Sequence, residues 1–581
     1  MQAPKRSNGA QPATSARGLG GGAKRAKGAQ LDDRAPINVL ELGSGRKMTL
    51  AVKAALLQEL KDLRYIPDDV ACSRGSMIDA RKAVAARRTP FGQLLMKRTF
   101  MTDDGPKEYP VQNPLAMLYV AMHEGDRYAA YVRDALRVHG APSPASPWSI
   151  VVYVDEVTCG NPLAVRADAR RKVQGVYWAI YHLGERALCD ESCWFELVAF
   201  RTSETSTFVG SVSHLLDVCL TCFFDPNGHH LRYGALFDLK GHGSFMLSLV
   251  VEMLIADIKA LVEAIGANGV SAILPCFLCR RILSFKAKEK PEMQALSQFV
   301  NIGCLDQTKW GKHTDASLLA VLSEVETATA TLGPTELKRK VTLSGFKHIE
   351  NNFLRNAFAI QCPLLIICLD WMHLFFQSGN WNREVFRILK TATTRTCAAY
   401  RLMHQYVDAF TFPRGWAGSI TQLCDAHWES CKTAEIFKSS ASGGLTLYAV
   451  LCKFFDDVLL PRFEGTALHA TLTAMVVSYH RLADVVDLLQ LSMHGRQVLP
   501  DLLDSKVSQW REANYNAYGN RLTYLKTHLT SHLADILRAR AKKSKYAMLM
   551  ACWTLDCDAC ICTIVYNGFG TNLPTPSCMQ L

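Results

Sequence analysis

The sequence predicts an α/β fold, and three observations predict it. Residues 148–154, 175–181 and 194–200 are β-branched and aromatic runs separated by short gaps, the spacing of an antiparallel meander. A fourth apolar run, 244–255, delivers Asp257 just before a helical pattern begins. Helical periodicity dominates on both sides of this block, so helices are available to pack on the sheet in layers.

The order of segments follows from local composition. With 581 residues the chain has room for two to four domain-sized units. Residues 1–35 form a Gly/Ala/Ser-rich basic tail. Lys5, Arg6, Arg17, Lys24, Arg25 and Lys27 precede Gln30 with no acid among them, and they account for half of the net charge of +12. Such a tail cannot bury enough apolar surface to fold. The region 36–140 reads as helical, because 51–60 is rich in helix formers and 114–136 repeats apolar residues at helical spacing. Pro142, Pro144 and Pro147 then exclude both helix and sheet from 141–147 and mark a boundary. Residues 148–290 hold the strands and the first part of the core. Residues 291–430 read as a large, mostly helical insertion, and 431–543 as the end of the core followed by helices. The stretch 544–581 is an irregular tail containing Cys557, Cys560 and Cys562.

Composition excludes several classes. Half of the chain is hydrophobic (49%) and only 20% is charged, the balance of a globular protein rather than a disordered one. No apolar run follows the basic N-terminal residues, so no secretory signal is expected. The most apolar internal stretches, 245–255 and 362–376, are too short or too polar to cross a bilayer, and no membrane partner is expected. The 20 scattered cysteines are expected to be reduced thiols. Lys24-Arg25-Ala26-Lys27 suits a nuclear import receptor or a polyanion such as DNA, with a solvated terminus as the plain alternative.

Chemistry enters through carboxylates. Asp155 ends the first strand run, with Glu156 beside it; Asp257 ends the fourth; Glu435 lies in a helical stretch at Lys432-Thr433-Ala434-Glu435. Alone, each reads as a turn, cap or solvated residue. Together, two neighbouring strands and a crossing helix can bring three acids to one place. Mg²⁺ or Mn²⁺ takes hard oxygen ligands of this kind. A pair of such ions activates an attacking hydroxyl and stabilises the leaving oxygen in phosphodiester displacement.

Two further motifs lie between Asp257 and Glu435. Cys276 and Cys279 form a C-x-x-C knuckle, half of a tetrahedral Zn²⁺ site, next to Arg280 and Arg281. Cys304 and His313 are weak candidates to complete it, and buried free thiols are the alternative. Asp370 and His373, three apart, fall on one helical face; a buried Asp–His hydrogen bond is the plainer reading and a supporting catalytic role the other.

In their order these blocks resemble the transposases of the CACTA (En/Spm) and Plavaka group, over roughly residues 148–535. The carriers are Val151–Asp155 with Gly160-Asn161-Pro162-Leu163, and Ile255-Ala256-Asp257 with the cysteine knuckle. Further on come Asp370-Trp371-Met372-His373, the Lys432–Glu435 block, and a His-containing stretch from Tyr524 to Leu533. The resemblance implies an RNase H-like mixed sheet with a helical insertion between the second and third acids. It implies Asp155, Asp257 and Glu435 as catalytic metal ligands, with Asp370 and His373 in support. It also implies a homo-oligomeric nuclear enzyme that cleaves and joins DNA at transposon ends, without a small-molecule substrate. Lys24, Arg25, Lys27, Arg280 and Arg281 are the expected nucleic-acid contacts. A catalytically inactive, domesticated DNA-binding or chromatin protein that keeps the fold is the alternative.

Overall fold

In a computed structural model the described residues are 86–158, 172–285, 298–412, 423–493 and 496–541, with a few isolated positions between 58 and 83. The basic tail with Lys24, Arg25 and Lys27, the Gly160–Leu163 block and the tail 544–581 lie outside them. The principal elements, in chain order, begin with strands β1 (Leu95–Thr102) and β2 (Gly105–Gln112) and helices α1 (Pro114–Glu124) and α2 (Asp126–His139). Strands β3 (Trp148–Thr158), β4 (Lys172–Ile180) and β5 (Phe195–Arg201) follow, then α3 (Val212–Thr221). A hairpin of β6 (Ala235–Leu239) and β7 (Gly243–Leu247) leads into β8 (Leu249–Ala256) and α4 (Ile258–Ile265). Helices α5 (Asp315–Thr331) and α6 (Pro334–Ser344) precede β9 (Ile367–Leu369) and α7 (Trp371–Phe375). The rest is helical: α8 (Asn380–Ala392), α9 (Ala399–Ala409), α10 (Asp425–Ala434), α11 (Ala441–Phe454), α12 (His469–Met493), α13 (Pro500–Tyr518), α14 (Leu525–Thr530) and α15 (His532–Ala541).

The architecture is mixed α/β around a five-stranded sheet in the order β9-β8-β3-β4-β5. Strands β3, β4 and β5 are the antiparallel meander, and β8 and β9 add on the other side of β3, parallel to it. Both faces of the sheet are buried. Val152, Val154 and Trp178 join the main core, while Val151, Tyr153, Tyr177, Ile255 and Cys368 form a second cluster on the opposite face. Burial on both sides explains why these strands read as nearly continuous apolar runs rather than alternating ones.

Three expectations need correction. The region 36–140 is not helical throughout: Leu95–Thr102 and Gly105–Gln112 form a hairpin paired along their whole length. The turn Asp103-Asp104-Gly105 favours it, because Gly105 adopts φ +104°, which only glycine takes without strain. The run 244–255 is two strands, β7 and β8, with Ser248 between them. The segment 291–430 is not wholly an insertion, since β9 within it is the fifth strand of the sheet.

After β9 the chain builds a helical assembly. Helices α12 and α13 pack along each other, and α8 lies against α12. Helix α8 buries one face in this assembly. Its Trp381 donates to Tyr479 Oη at 2.7 Å, and its Glu384 accepts from Trp510 Nε1 and Asn514 Nδ2, both at 2.8 Å. No described helix is long and apolar enough to cross a membrane.

Candidate functional site

Strand register sets the first site. Val154 of β3 pairs with Ala256 of β8, and Ala256 pairs with Leu369 of β9. The next residue of each strand is an aspartate: Asp155, Asp257 and Asp370. All three strands run in the same direction, so three carboxylates stand side by side: Asp257 and Asp370 just past the ends of β8 and β9, and Asp155 where β3 leaves β8 and continues three residues along β4. Neighbouring strands lie about 4.8 Å apart. The carboxyl ends of parallel strands are where α/β sheets commonly bind ligands.

Each aspartate is fixed locally. Asp155 accepts Tyr153 Oη at 2.7 Å and the Glu156 amide at 2.8 Å. Opposite it in β4 is Gly175, and the ring of Tyr177 lies so close to this backbone that a Cβ there would meet Tyr177 Oη at 2.4 Å. Glu156 turns away and pairs with Lys172, so Asp155 is the acid that faces the row. Asp257 caps α4, its Oδ1 accepting the Ala260 amide at 2.6 Å. Asp370 caps α7 through the amides of Met372 and His373, and its Oδ2 lies 2.7 Å from His373 Nδ1. The buried Asp–His hydrogen bond read from the sequence is therefore present, and it orients the ring.

The charges of these groups act on one another. Burial pushes the Asp155 carboxyl up to about 6, and the charge of Asp257 adds to the rise, against the hydrogen bond from Tyr153 and the charge of His373. Burial opposes a charged His373, yet Asp370, Asp257 and Asp155 overcome it and raise the imidazole to about 9. The raised imidazole reports a local negative potential made by the three carboxylates, which favours positive charge there. Hard oxygen donors on Asp155 and Asp257 fit Mg²⁺ or Mn²⁺. The His373 ring, held at Nδ1 by a carboxylate, resembles the outer-sphere arrangement that steadies metal ligands.

Lys526 of α14 completes the surroundings. Its Nζ donates to the carbonyls of His373 (2.8 Å) and Gln377 (2.6 Å). Burial, with Arg383 nearby, lowers it to about 8 against the pull of Asp257 and Asp370.

Glu435 does not join this row, which corrects the expected Asp155–Asp257–Glu435 triad. It is the exposed C-cap of α10, at φ +51°, and pairs with Lys390 (3.1 Å) and Arg387 (3.7 Å) of α8. The first residue of α8, Asn380, is hydrogen-bonded to Thr527 and Thr530 of α14, beside Lys526. Lys390 stands ten residues farther on, about 15 Å away at the helical rise. The physical reason is burial: among the helical residues of α10 only Cys431 is buried, so the helix lies on the surface and its last turn faces solvent.

A second cluster forms around the cysteine knuckle. Cys276, Cys279, His528 and His532 are all buried, and one ligand atom from each lies within 4.8 Å of the others. His532 Nε2 is 3.7 Å from Cys276 Sγ, 3.3 Å from Cys279 Sγ and 3.3 Å from His528 Nε2. Tetrahedral zinc with bonds of about 2.3 Å to sulfur and 2.0–2.1 Å to nitrogen sets its ligands roughly 3.3–3.8 Å apart. The three distances from His532 Nε2 fall within that range. His532 Nδ1 lies 3.4 Å from Asp535, which Lys312 also holds at 2.6 Å, a carboxylate behind a ligating histidine. Burial resists ionisation of Cys276, but its hydrogen bond with Cys279 and the neighbouring His528 and His532 hold its thiol well below the ordinary value. Burial lowers His528 to about 4, leaving it neutral. Cys276 and His528 are thus in forms zinc binds, while burial and the neighbouring Cys276 push the Cys279 thiol up and, against burial, Asp535 raises His532.

Cys304 and His313 are not the missing partners. His313 Nδ1 lies 3.1 Å from Ser317 Oγ, Cys304 points to the Asp306 carbonyl, and neither joins the cluster. The stretch holding His528 and His532 stands out in the sequence, but sequence reasoning did not connect it to the knuckle. The available signal was two histidines four apart, a spacing that puts them on one side of the chain across the α14–α15 junction. Arg280 is exposed and Arg281 half-buried at the knuckle turn. No family model and no curated protein sequence matches this chain.

Proposed function

We propose that this chain is a metal-dependent DNA-cleaving and strand-joining enzyme of transposon descent with an RNase H-like core. The observation that carries the reading is the row of Asp155, Asp257 and Asp370, each following the last paired residue where three adjacent parallel strands lie in register. In that reading Asp155 and Asp257 hold Mg²⁺ or Mn²⁺, and Asp370 takes the third position that the sequence pattern assigns to Glu435. A bound pair of ions, about 4 Å apart, would supply an activated hydroxyl and charge neutralisation at the leaving oxygen.

The chain's own groups have separate roles. Tyr153 fixes one oxygen of Asp155, and the α4 amide fixes one oxygen of Asp257, so both carboxylates are pre-oriented. Asp370 holds the His373 ring, and Lys526 ties α14 to the loop after α7. The Cys276–Cys279–His528–His532 set is closed, with four protein ligands, which suits a structural zinc ion rather than a catalytic one. Such an ion would fasten α14, and with it Lys526, beside the acids. Action on transposon ends in the nucleus, by a homo-oligomer, belongs to the same reading.

A non-catalytic DNA-binding descendant is the second reading, and the distant position of Glu435 favours it. The two part in one assay. Full-length protein is expected to nick supercoiled plasmid with Mg²⁺ or Mn²⁺ and not with Ca²⁺ alone. DNA binding without nicking under either ion would select the inactive descendant.

A further inference from the structure

Helix α8 carries a row of cations on its less buried face. Arg383, Arg387 and Lys390 recur at i, i+4 and i+7, while Trp381, Glu384, Val385, Phe386, Ile388 and Leu389 are buried. The row starts beside α14: the Arg383 guanidinium lies 4.2 Å from the centroid of the ring of Tyr524, two residues before Lys526. It ends in a cavity of about 490 Å³ lined by Arg387, Lys390 and Arg521. The Nε atoms of Arg383 and Arg387 are buried and have no hydrogen-bond partner among the described residues. Glu435 is the acid paired with Arg387 and Lys390.

We infer that Lys526, Arg383, Arg387, Lys390 and Arg521 form a phosphate track that holds one DNA strand on its way to the acid row, with Glu435 occupying the track when DNA is absent. The inference rests on the proposed DNA-cleaving function and names the surface that binds the substrate. From Arg383 to Lys390 the helix rises about 10.5 Å. Successive phosphates of one strand stand farther apart than the duplex rise of about 3.4 Å, so the row meets about two phosphates. Guanidinium groups suit them, since their planar donors match phosphate oxygens. Lys526, which donates to the carbonyl of His373, links this end of the row to the acids. The pairing with Glu435 must break as the strand enters.

The test is fluorescence anisotropy of a labelled DNA oligonucleotide with the full chain, without divalent ions, at about 50–200 mM salt. Arg387→Gln/Lys390→Gln/Arg521→Gln is expected to weaken binding roughly 10-fold or more and to lower the salt slope by about 2 to 3. Lys97→Gln/Lys107→Gln on the β1–β2 hairpin also removes positive charge and is expected to change binding much less. Glu435→Gln is expected to tighten binding severalfold, a gain that a misfolded variant would not produce. Unchanged affinity and slope in the triple variant overturns the track, as does equal weakening by the hairpin variant or preference for RNA over DNA. Glu435→Gln that abolishes nicking without tightening binding also overturns it and returns Glu435 to the acids. Because affinity and salt slope are read apart from nicking, the track can fail while nicking persists, and it can stand if nicking is never seen.

Discussion

Asp257→Asn is expected to lower metal-dependent nicking by roughly 10³-fold or more while leaving the fold as stable as before. The size follows from the proposed chemistry, in which the carboxylate would both hold a cation and set the charge facing the reacting phosphate. Losses of this order accompany removal of a single such group. The choice of asparagine isolates that contribution. Asp257 also caps α4 by accepting the Ala260 amide, and asparagine caps as well as aspartate does. Alanine would remove the cap too, at about 1 kcal/mol, and mix stability with chemistry. Removing this carboxylate relieves repulsion with Asp155 but also loses attraction to His373 and Lys526, so the melting temperature is expected to hold. A variant that melts like the parent and nicks like the parent would remove Asp257 from the chemistry.

The other large effect is expected at the cysteine–histidine cluster. Purified protein should carry about one zinc ion per chain, released by acid or by a thiol-reactive reagent and counted with a colorimetric chelator. Cys276→Ser should lose it. Structural zinc sites contribute on the order of 10 kcal/mol to folding, as much as a domain's whole net stability. The variant is therefore expected to unfold locally around the knuckle, α14 and α15, seen as new protease cuts and rapid amide exchange near His528. Since Lys526 sits two residues before His528, nicking should fall with it. Full zinc retention in Cys276→Ser, or no zinc in the parent, contradicts the site.

The parts of the fold legible in the sequence were those whose local pattern matched their surroundings. Strands β3, β4, β5 and β8 are apolar runs because both faces of the sheet are covered, and runs broken by Asp155 and Asp257 point to the place where the carboxylates gather. Strand β9 is only three residues, Ile367–Leu369, preceded by a helical turn from Pro363 to Ile366, and no period can be read from so short a piece. Its pairing with β8, set by tertiary structure, is what turns Asp370 from a plain cap into the third member of the row. The β1–β2 hairpin was hidden between two helical stretches, although Asp104-Gly105 was a turn signal in plain view.

The candidate site divides in the same way. Asp155 and Asp257 could be read from their strand ends, and Cys276 with Cys279 from their spacing. His528 lies 249 residues beyond Cys279, so only the fold brings them together. Lys-x-x-Glu at 432–435 is equally good as a solvated helix end, and that is the role burial gives it.

Whether the aspartate row holds metal is decided most directly by a crystal of the full chain soaked in Mn²⁺ and measured at a wavelength where manganese scatters anomalously. The expected result is a peak bounded by the carboxylates of Asp155 and Asp257, beside Asp370 and His373, and none at Glu435. No peak at the strand ends, or one beside Glu435 instead, would contradict the metal-dependent reading.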